Sequence, residues 1–306
     1  MTTDPTDSTD LRERFLDPAV LMSMGGLLVR ARSVVEGAIA GMHRSPHKGS
    51  SVEFAEYKEY APGDEIKHID WKAFGKSDRY YVKQFEDETN LRAYLVLDGS
   101  GSMDFASEGC ITKLEYAQTL AASFAYLMLR QGDAVGAMVF DDQPGLMLPP
   151  SSKSTHMTDV LHILESLPGA GRTDIAVALQ ALAERLRRRG MLVLISDMLD
   201  DAERVMTIAQ VMRKRRQEVV MFHLIDPAEL DLPYEGLTIF EGLEGEEELL
   251  VDPDDIRDRY REEMRAHLDQ IERDCREGDI EYFRVVTTRP LEQVLLDFIV
   301  GRLQIR

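Results

Sequence analysis

The chain of 306 residues has little cysteine, a single tryptophan and a deficit of positive charge. Cys110 and Cys275 form no CxxC and no repeated spacing, which argues against a disulfide framework or a thiolate zinc site and suits free thiols in a reducing compartment. No uninterrupted apolar run reaches the roughly 18 residues that a membrane-crossing helix needs. The most apolar N-terminal stretch, Ala19 to Ala40, is broken by Arg30, Arg32 and Glu36. The first ten residues, MTTDPTDSTD, are acidic and polar, unlike a secretory or transit peptide, so the expected location is the cytoplasm. Formal charge is −19, and between Asp226 and Asp279 there are 20 acidic residues against six arginines. A surface this acidic repels phosphate backbones, which excludes nucleic acid as the main partner. It reads as a solvated face, or as a field that steers a basic partner or a cation.

What is present is an ordinary globular composition, 44% hydrophobic and 30% charged, sufficient for a large core. Residues 1–16 read as a disordered tail, and Asp17 followed by Pro18 as the cap and first turn of a helix running to residue 42. That helix would place Leu21, Leu28, Val35 and Ile39 on one face. Val52 to Glu88 is rich in Tyr, Phe and turn signals and reads as short strands and tight turns. Residues 17–90 thus form an N-terminal helix and a β region.

From Leu91 the pattern alternates. Strands are expected at Leu91–Leu97, Ala134–Phe140, Met191–Ile195, Val219–Ile225 and Ile280–Val286, with a short edge strand at Leu146–Leu148. Helices are expected at 114–129, 155–167, 175–189, 202–216, 255–277 and 291–303. Gly132, Gly190 and Gly278 each follow an arginine-bearing helix end and read as left-handed caps. Strands alternating with helices over short links predict an α/β fold, doubly wound, with a mostly parallel sheet covered on both faces. An acidic insertion near 226–254 holds two strand-like pieces, Leu237–Phe240 and Glu248–Val251, joined through Gly242–Gly245.

The chemistry concentrates where the first strand of this half ends, in Leu97-Asp98-Gly99-Ser100-Gly101-Ser102-Met103. Open parallel sheets gather ligands at the carboxyl ends of their strands, near the point where strand order reverses. Gly169-Ala170-Gly171-Arg172-Thr173-Asp174 precedes a helix, and Ile195-Ser196-Asp197-Met198 leaves the next apolar strand. Hard oxygens from three such loops suit magnesium, with manganese as an alternative. Ser100, Ser102 and Thr173 would ligate through neutral hydroxyls, with Asp98 and Asp197 orienting ligands and waters behind them. An ion with few anionic ligands keeps its appetite for a carboxylate from another protein. Asp-x-Ser-x-Ser alone is also satisfied by a capped turn; three elements in the right order make the stronger pattern.

LVLDGSGSM, GAGRTD and VLISDML resemble the metal-ion-dependent adhesion site of von Willebrand A-type domains, over roughly residues 91–303. YAPGDEIKHIDWKAFGKSDRYYVKQFEDE resembles the signature of a bacterial family of unknown function, number fifty-eight, whose members are often encoded beside MoxR-type AAA+ ATPases. The resemblance implies a cytoplasmic adaptor or chaperone-like partner of such an ATPase or of its client, although some relatives carry membrane segments that this sequence lacks. The site presents no nucleophile or general base, so a binding module is expected rather than an enzyme. A magnesium-dependent phosphoester hydrolase acting through Asp98, Asp104 and Asp197 is the alternative, and a scaffold with a purely structural metal is another. His43, His47 and His68 fit no standard zinc spacing. Met198, Met206 and Met212 read as core packing. The basic helix ends Arg185 to Arg189 and Arg213 to Arg216 read as solvated faces complementing helix dipoles, or as docking points for an acidic partner.

Overall fold

The computed structural model describes residues 16–44, 57–59, 81–83, 91–166, 174–186, 188–244 and 248–305. The chain divides into two compact units. One is Arg44–Asn90; the other joins the chain up to His43 with everything from Leu91 onward.

At the N-terminus, α1 (Pro18–Met22) is capped by Asp17, whose side chain accepts from Ala19 N–H. It stops at Ser23, and α2 (Leu27–Arg44) follows. The single helix expected from the sequence is therefore two. Gly25, at φ +87°, takes a left-handed conformation that interrupts the helix. The break shifts the helical phase, so that Leu21, Leu27, Ala31, Val34, Val35 and Ala38 are buried while Leu28 is exposed. In the other unit, β1 (Tyr57–Glu59) and β2 (Tyr81–Lys83) pair antiparallel, Tyr57 opposite Lys83. His47, His68 and most of the Val52–Glu88 segment lie outside the described residues.

The α/β unit runs β3 (Arg92–Asp98), α3 (Lys113–Arg130), β4 (Ala134–Phe140), β5 (Pro144–Ser151), α4 (His156–Glu165), α5 (Ile175–Arg185), β6 (Met191–Ser196), α6 (Ala202–Lys214), β7 (Glu218–Ile225), α7 (Pro227–Asp231), β8 (Thr238–Phe240), β9 (Leu249–Val251), α8 (Pro253–Glu277), β10 (Glu281–Val286) and α9 (Leu291–Ile305). Six strands form one sheet in the order β10-β7-β6-β3-β4-β5, all parallel except the β5 edge. This is the doubly wound α/β arrangement expected of a von Willebrand A-type domain. The separate β8–β9 hairpin pairs Ile239 with Leu250.

The period of two along each strand sorts the core into two layers. Ala93, Leu95 and Leu97 of β3, Val193 and Ile195 of β6, and Val220, Phe222 and Leu224 of β7 face α2, α3, α4 and α9. Val96, Leu192, Leu194, Val219 and Met221 face α5, α6 and α8. Buried on both sides, these strands show the near-continuous apolar runs that made them legible. Phe124, Phe222, Phe283 and Phe298 interlock in the first layer, with Phe124 edge-on to Phe298 at 4.8 Å and Phe222 stacked on Phe283 at 4.7 Å. Met198, Met206 and Met212 are buried in the second layer, as expected.

Three helix ends were expected to be capped by glycine. Gly132 is left-handed, at φ +84°. The helix beginning at Ile175 stops at Arg185 rather than running to Gly190, where a Cβ would meet the Arg92 carbonyl oxygen at 2.6 Å. Gly190 serves close strand approach, not a cap. After α8, Gly278 stays right-handed and Asp279 takes the positive φ, 54°. The basic helix ends are partly spent inside the fold: Arg213 pairs with Asp279, and Arg215 Nη1 donates to the Ala183 carbonyl oxygen.

His223 on β7 is buried, its Nδ1 2.9 Å from the Tyr282 hydroxyl. Burial disfavours the imidazolium and holds its pKa down to about 4, against 6.5 for a free side chain. The unfolded chain thus binds the proton more tightly, and stability falls as pH drops from 6.5 toward 4. That gap is worth about 3 kcal/mol. Urea unfolding at pH 6.5 and pH 4 should show a smaller acid-side loss in His223→Gln than in the wild type; equal losses would contradict the assignment.

Candidate metal centre

β3 and β6 lie side by side at the point where strand order reverses, Leu97 in register with Ile195. Their carboxyl ends deliver Asp98 and Ser196 to one spot. The Ser196 hydroxyl donates to Asp98 Oδ2 at 2.6 Å and accepts from Met198 N–H at 2.9 Å. Asp98 Oδ1 accepts from Ser100 N–H at 3.0 Å, folding the chain back over the carboxylate. The turn sets the hydroxyls of Ser100 and Ser102 3.1 Å apart. Asp98, Ser100, Ser102 and Asp197 are all buried. Four of the five residues expected at the site therefore belong to two adjoining loops at one sheet edge. The fifth, Thr173, lies outside the described residues. Its neighbour Asp174 donates its N–H to the Asp141 carbonyl oxygen, just past β4, while Ile175 N–H donates to Asp200 Oδ2 on the loop after β6. The entry to α5 is thus tied to the same sheet edge. Asp104 is exposed, unlike Asp98 and Asp197.

Met198 follows Asp197 with φ 57° and a buried side chain. A left-handed non-glycine residue costs on the order of 1 kcal/mol and persists where neighbours hold it in place. Here its N–H on Ser196 and the Leu199 N–H on Asp197 Oδ1, 3.2 Å, fix the loop.

Sequence reasoning missed the cation already at this edge. Lys113 is fully buried, and its Nζ donates to Asp197 Oδ2 at 2.7 Å and to Glu229 Oε1 at 2.5 Å. Burial opposes its charge, but Asp197 and Glu229 outweigh that and raise its pKa above the ordinary lysine value. Glu229 is itself oriented by a capping box: its other oxygen accepts from Asp226 N–H at 2.7 Å. Asp226 Oδ2 in turn accepts from Ser107 N–H at 2.9 Å. A signal for Lys113 existed. It is the first residue of α3, after the Thr112 cap, where a cation opposes the helix dipole, and such local conflicts mark sites that serve something else.

Lys113 bonds Asp197 and Glu229, and among the described residues no ion pair reaches Asp98. Burial, then repulsion from Asp197, lifts the Asp98 carboxyl to about 7 despite the hydroxyls of Ser196 and Ser100. Positive charge placed beside it would hold that carboxylate ionised. Among the described residues no three His, Cys, Asp or Glu side chains converge to cage an ion. The donor set that fits is hydroxyls in front with carboxylates behind, which suits a small hard cation that keeps waters rather than zinc. Removing Lys113 should unbalance the two acids it joins. Lys113→Met is expected to lower the unfolding free energy by about 3–5 kcal/mol, as for other broken buried pairs. A denaturant midpoint equal to wild type would show that the pair carries no such stability.

The chain is 27% identical over 297 residues to the uncharacterized protein Rv1480 of Mycobacterium tuberculosis, covering 95% of this chain and 92% of that one. It is equally similar to the uncharacterized protein Mb1516 of Mycobacterium bovis. Among solved structures it is similar to the conserved hypothetical protein BatB of Bacteroides thetaiotaomicron, at 16% identity and a TM-score of 0.44, over 70% of this chain and 99% of that one. The SpRpn10 VWA domain aligns at 12% identity and a TM-score of 0.39, over 67% and 93%. The family described as "Protein of unknown function DUF58" matches residues 56–270, and the chain belongs to it.

Proposed function

We propose that this chain is a metal-dependent protein-interaction module that grips a carboxylate of a partner protein. The observation that carries the reading is the pair of buried hydroxyls, Ser100 and Ser102, 3.1 Å apart in front of Asp98 at the switch point of the sheet. A bound magnesium ion, or manganese in its place, would supply a hard position that accepts a carboxylate oxygen among its six ligands. Ser100 and Ser102, joined by Thr173 from the sequence pattern, would hold it through neutral oxygens. Asp98 orients the first turn of the loop by accepting from Ser100 N–H, and the Ser196 hydroxyl keeps that carboxylate in place. Asp197 is locked between Lys113 and Leu199 N–H, so it acts on ligands and waters from a fixed position. The reading is capture without chemistry on the partner.

The partner in this proposal is a MoxR-type AAA+ ATPase or its client, served by the chain as an adaptor or chaperone-like component in the cytoplasm. Among the described residues no helix is long and apolar enough to cross a membrane.

Isothermal titration of the full chain with magnesium and manganese tests the reading. The wild type should take up one divalent ion, and Ser100→Ala combined with Ser102→Ala should abolish the uptake while leaving the circular dichroism spectrum unchanged. Equal uptake by the folded double variant would refute the assignment.

A further inference from the structure

The acidic insertion carries an apolar face that points to solvent. In the β8–β9 hairpin Ile239 stands opposite Leu250, so both side chains project from one face. They are 57% and 58% exposed, and Leu237, two residues before Ile239, is exposed with them. The opposite face does the anchoring. Thr238, Phe240 and Val251 are half-buried, and Phe240 meets the Tyr234 ring edge-on at 5.5 Å. Arg257, on α8, donates from Nε to the Leu232 carbonyl oxygen and from Nη2 to that of Tyr234, which ties down the approach to the hairpin. At the turn, a Cβ on Gly101 would meet the Leu243 carbonyl oxygen at 2.4 Å, and Ser102 N–H donates to Glu244 Oε1 at 3.4 Å. The hairpin is thus held from behind and at its turn, and none of these contacts involves Leu237, Ile239 or Leu250.

Charge of one sign frames this face. On the same period of two, Glu235 precedes Leu237, Glu241 follows Ile239 and Glu248 precedes Leu250, and all three glutamates are exposed. From Asp226 to Ile256 the sequence holds no lysine or arginine. A solvated acidic face has no need of leucine and isoleucine at its centre, whereas an apolar centre inside a charged rim is the anatomy of an interface. We propose that the outward face of the β8–β9 hairpin docks a basic amphipathic helix of a partner protein. A two-stranded hairpin is completed by a helix packed across it. Leucine-type side chains on one stripe of that helix cover Leu237, Ile239 and Leu250. Lysine and arginine along its flanks lay their stems over the apolar edge and bring their charges to Glu235, Glu241 and Glu248. An acidic helix or an anionic membrane surface is repelled by the same rim. The contact is made by side chains alone, so the inference goes beyond the metal reading and does not depend on it.

Fluorescence anisotropy with the full chain tests the assignment. The probe is a labelled peptide of about 18 residues, roughly five helical turns, with leucines on one face and lysines on the other. The wild type should bind it in the presence of a chelator, with affinity falling as salt rises. Ile239→Ser combined with Leu250→Ser should weaken binding about tenfold. Glu241→Gln combined with Glu248→Gln should weaken it and flatten the salt dependence. Val211→Ser, which removes an exposed apolar side chain of α6, should bind as the wild type does. So should Ser100→Ala combined with Ser102→Ala, which separates this surface from the metal reading. Wild-type affinity in an Ile239→Ser, Leu250→Ser variant with an unchanged circular dichroism spectrum would overturn the proposal. Equal binding of a peptide of the same composition with its leucines scattered round the helix would overturn it in favour of a general charge effect. No binding by the wild type would overturn it outright. Sedimentation velocity adds one further outcome: self-association of the wild type that the Ile239→Ser, Leu250→Ser variant loses would assign the face to a second copy of the chain instead.

Discussion

Two buried carboxylates at the end of a parallel sheet set the terms for everything around them. Asp98 and Asp197 are carried to adjoining positions because β3 and β6 pair in register and end together. Buried acids this close are costly unless hydrogen bonds and opposite charge offset the loss of water. The fold answers Asp197 with Lys113, drawn from the first turn of α3, and answers Asp98 with the Ser196 hydroxyl and the Ser100 N–H. The second answer is incomplete, as the raised Asp98 carboxyl shows. The remaining imbalance lies beside the Ser100 and Ser102 hydroxyls, the pair on which the proposed metal reading rests.

The surrounding structure makes the imbalance tolerable. The two apolar layers and the interlocked phenylalanines hold the strands rigid, each fully buried phenylalanine contributing roughly 1.5–3 kcal/mol of transfer free energy. A rigid sheet can support a loop residue such as Met198 in a left-handed conformation and acids in a desolvated pocket, both of which a looser scaffold would relax away. Glu229 and Asp226, fixed by their capping box, extend the network from β7, so that three strand ends share one electrostatic unit. The acidic insertion then lowers itself onto that unit through Glu244.

Much of this was legible in the sequence for a physical reason. Strands buried on both faces have near-continuous apolar runs, and Arg92–Asp98, Met191–Ser196 and Glu218–Ile225 announce themselves in that way. Asp98, Ser100, Ser102 and Asp197 follow from loop position once the strands are placed. What failed was phase and long-range pairing. Gly25 breaks the N-terminal helix because its φ is positive, a property that sequence periodicity does not report, and Leu28 turned outward as a result. Gly190 was read as a cap although its constraint is the Arg92 carbonyl oxygen 98 residues earlier in the chain. Lys113 and Glu244 meet the site across 84 and 142 residues, and only the unfavourable placement of a lysine at a helix start hinted at the first.

In the proposed reading the Ser100 and Ser102 hydroxyls, backed by Asp98, hold a hard divalent ion. Crystals of the full chain grown with manganese and measured at the manganese absorption edge address it most directly. An anomalous difference peak is expected within about 2.5 Å of both hydroxyl oxygens. An empty map at that position, in crystals that bind manganese elsewhere or not at all, would contradict it.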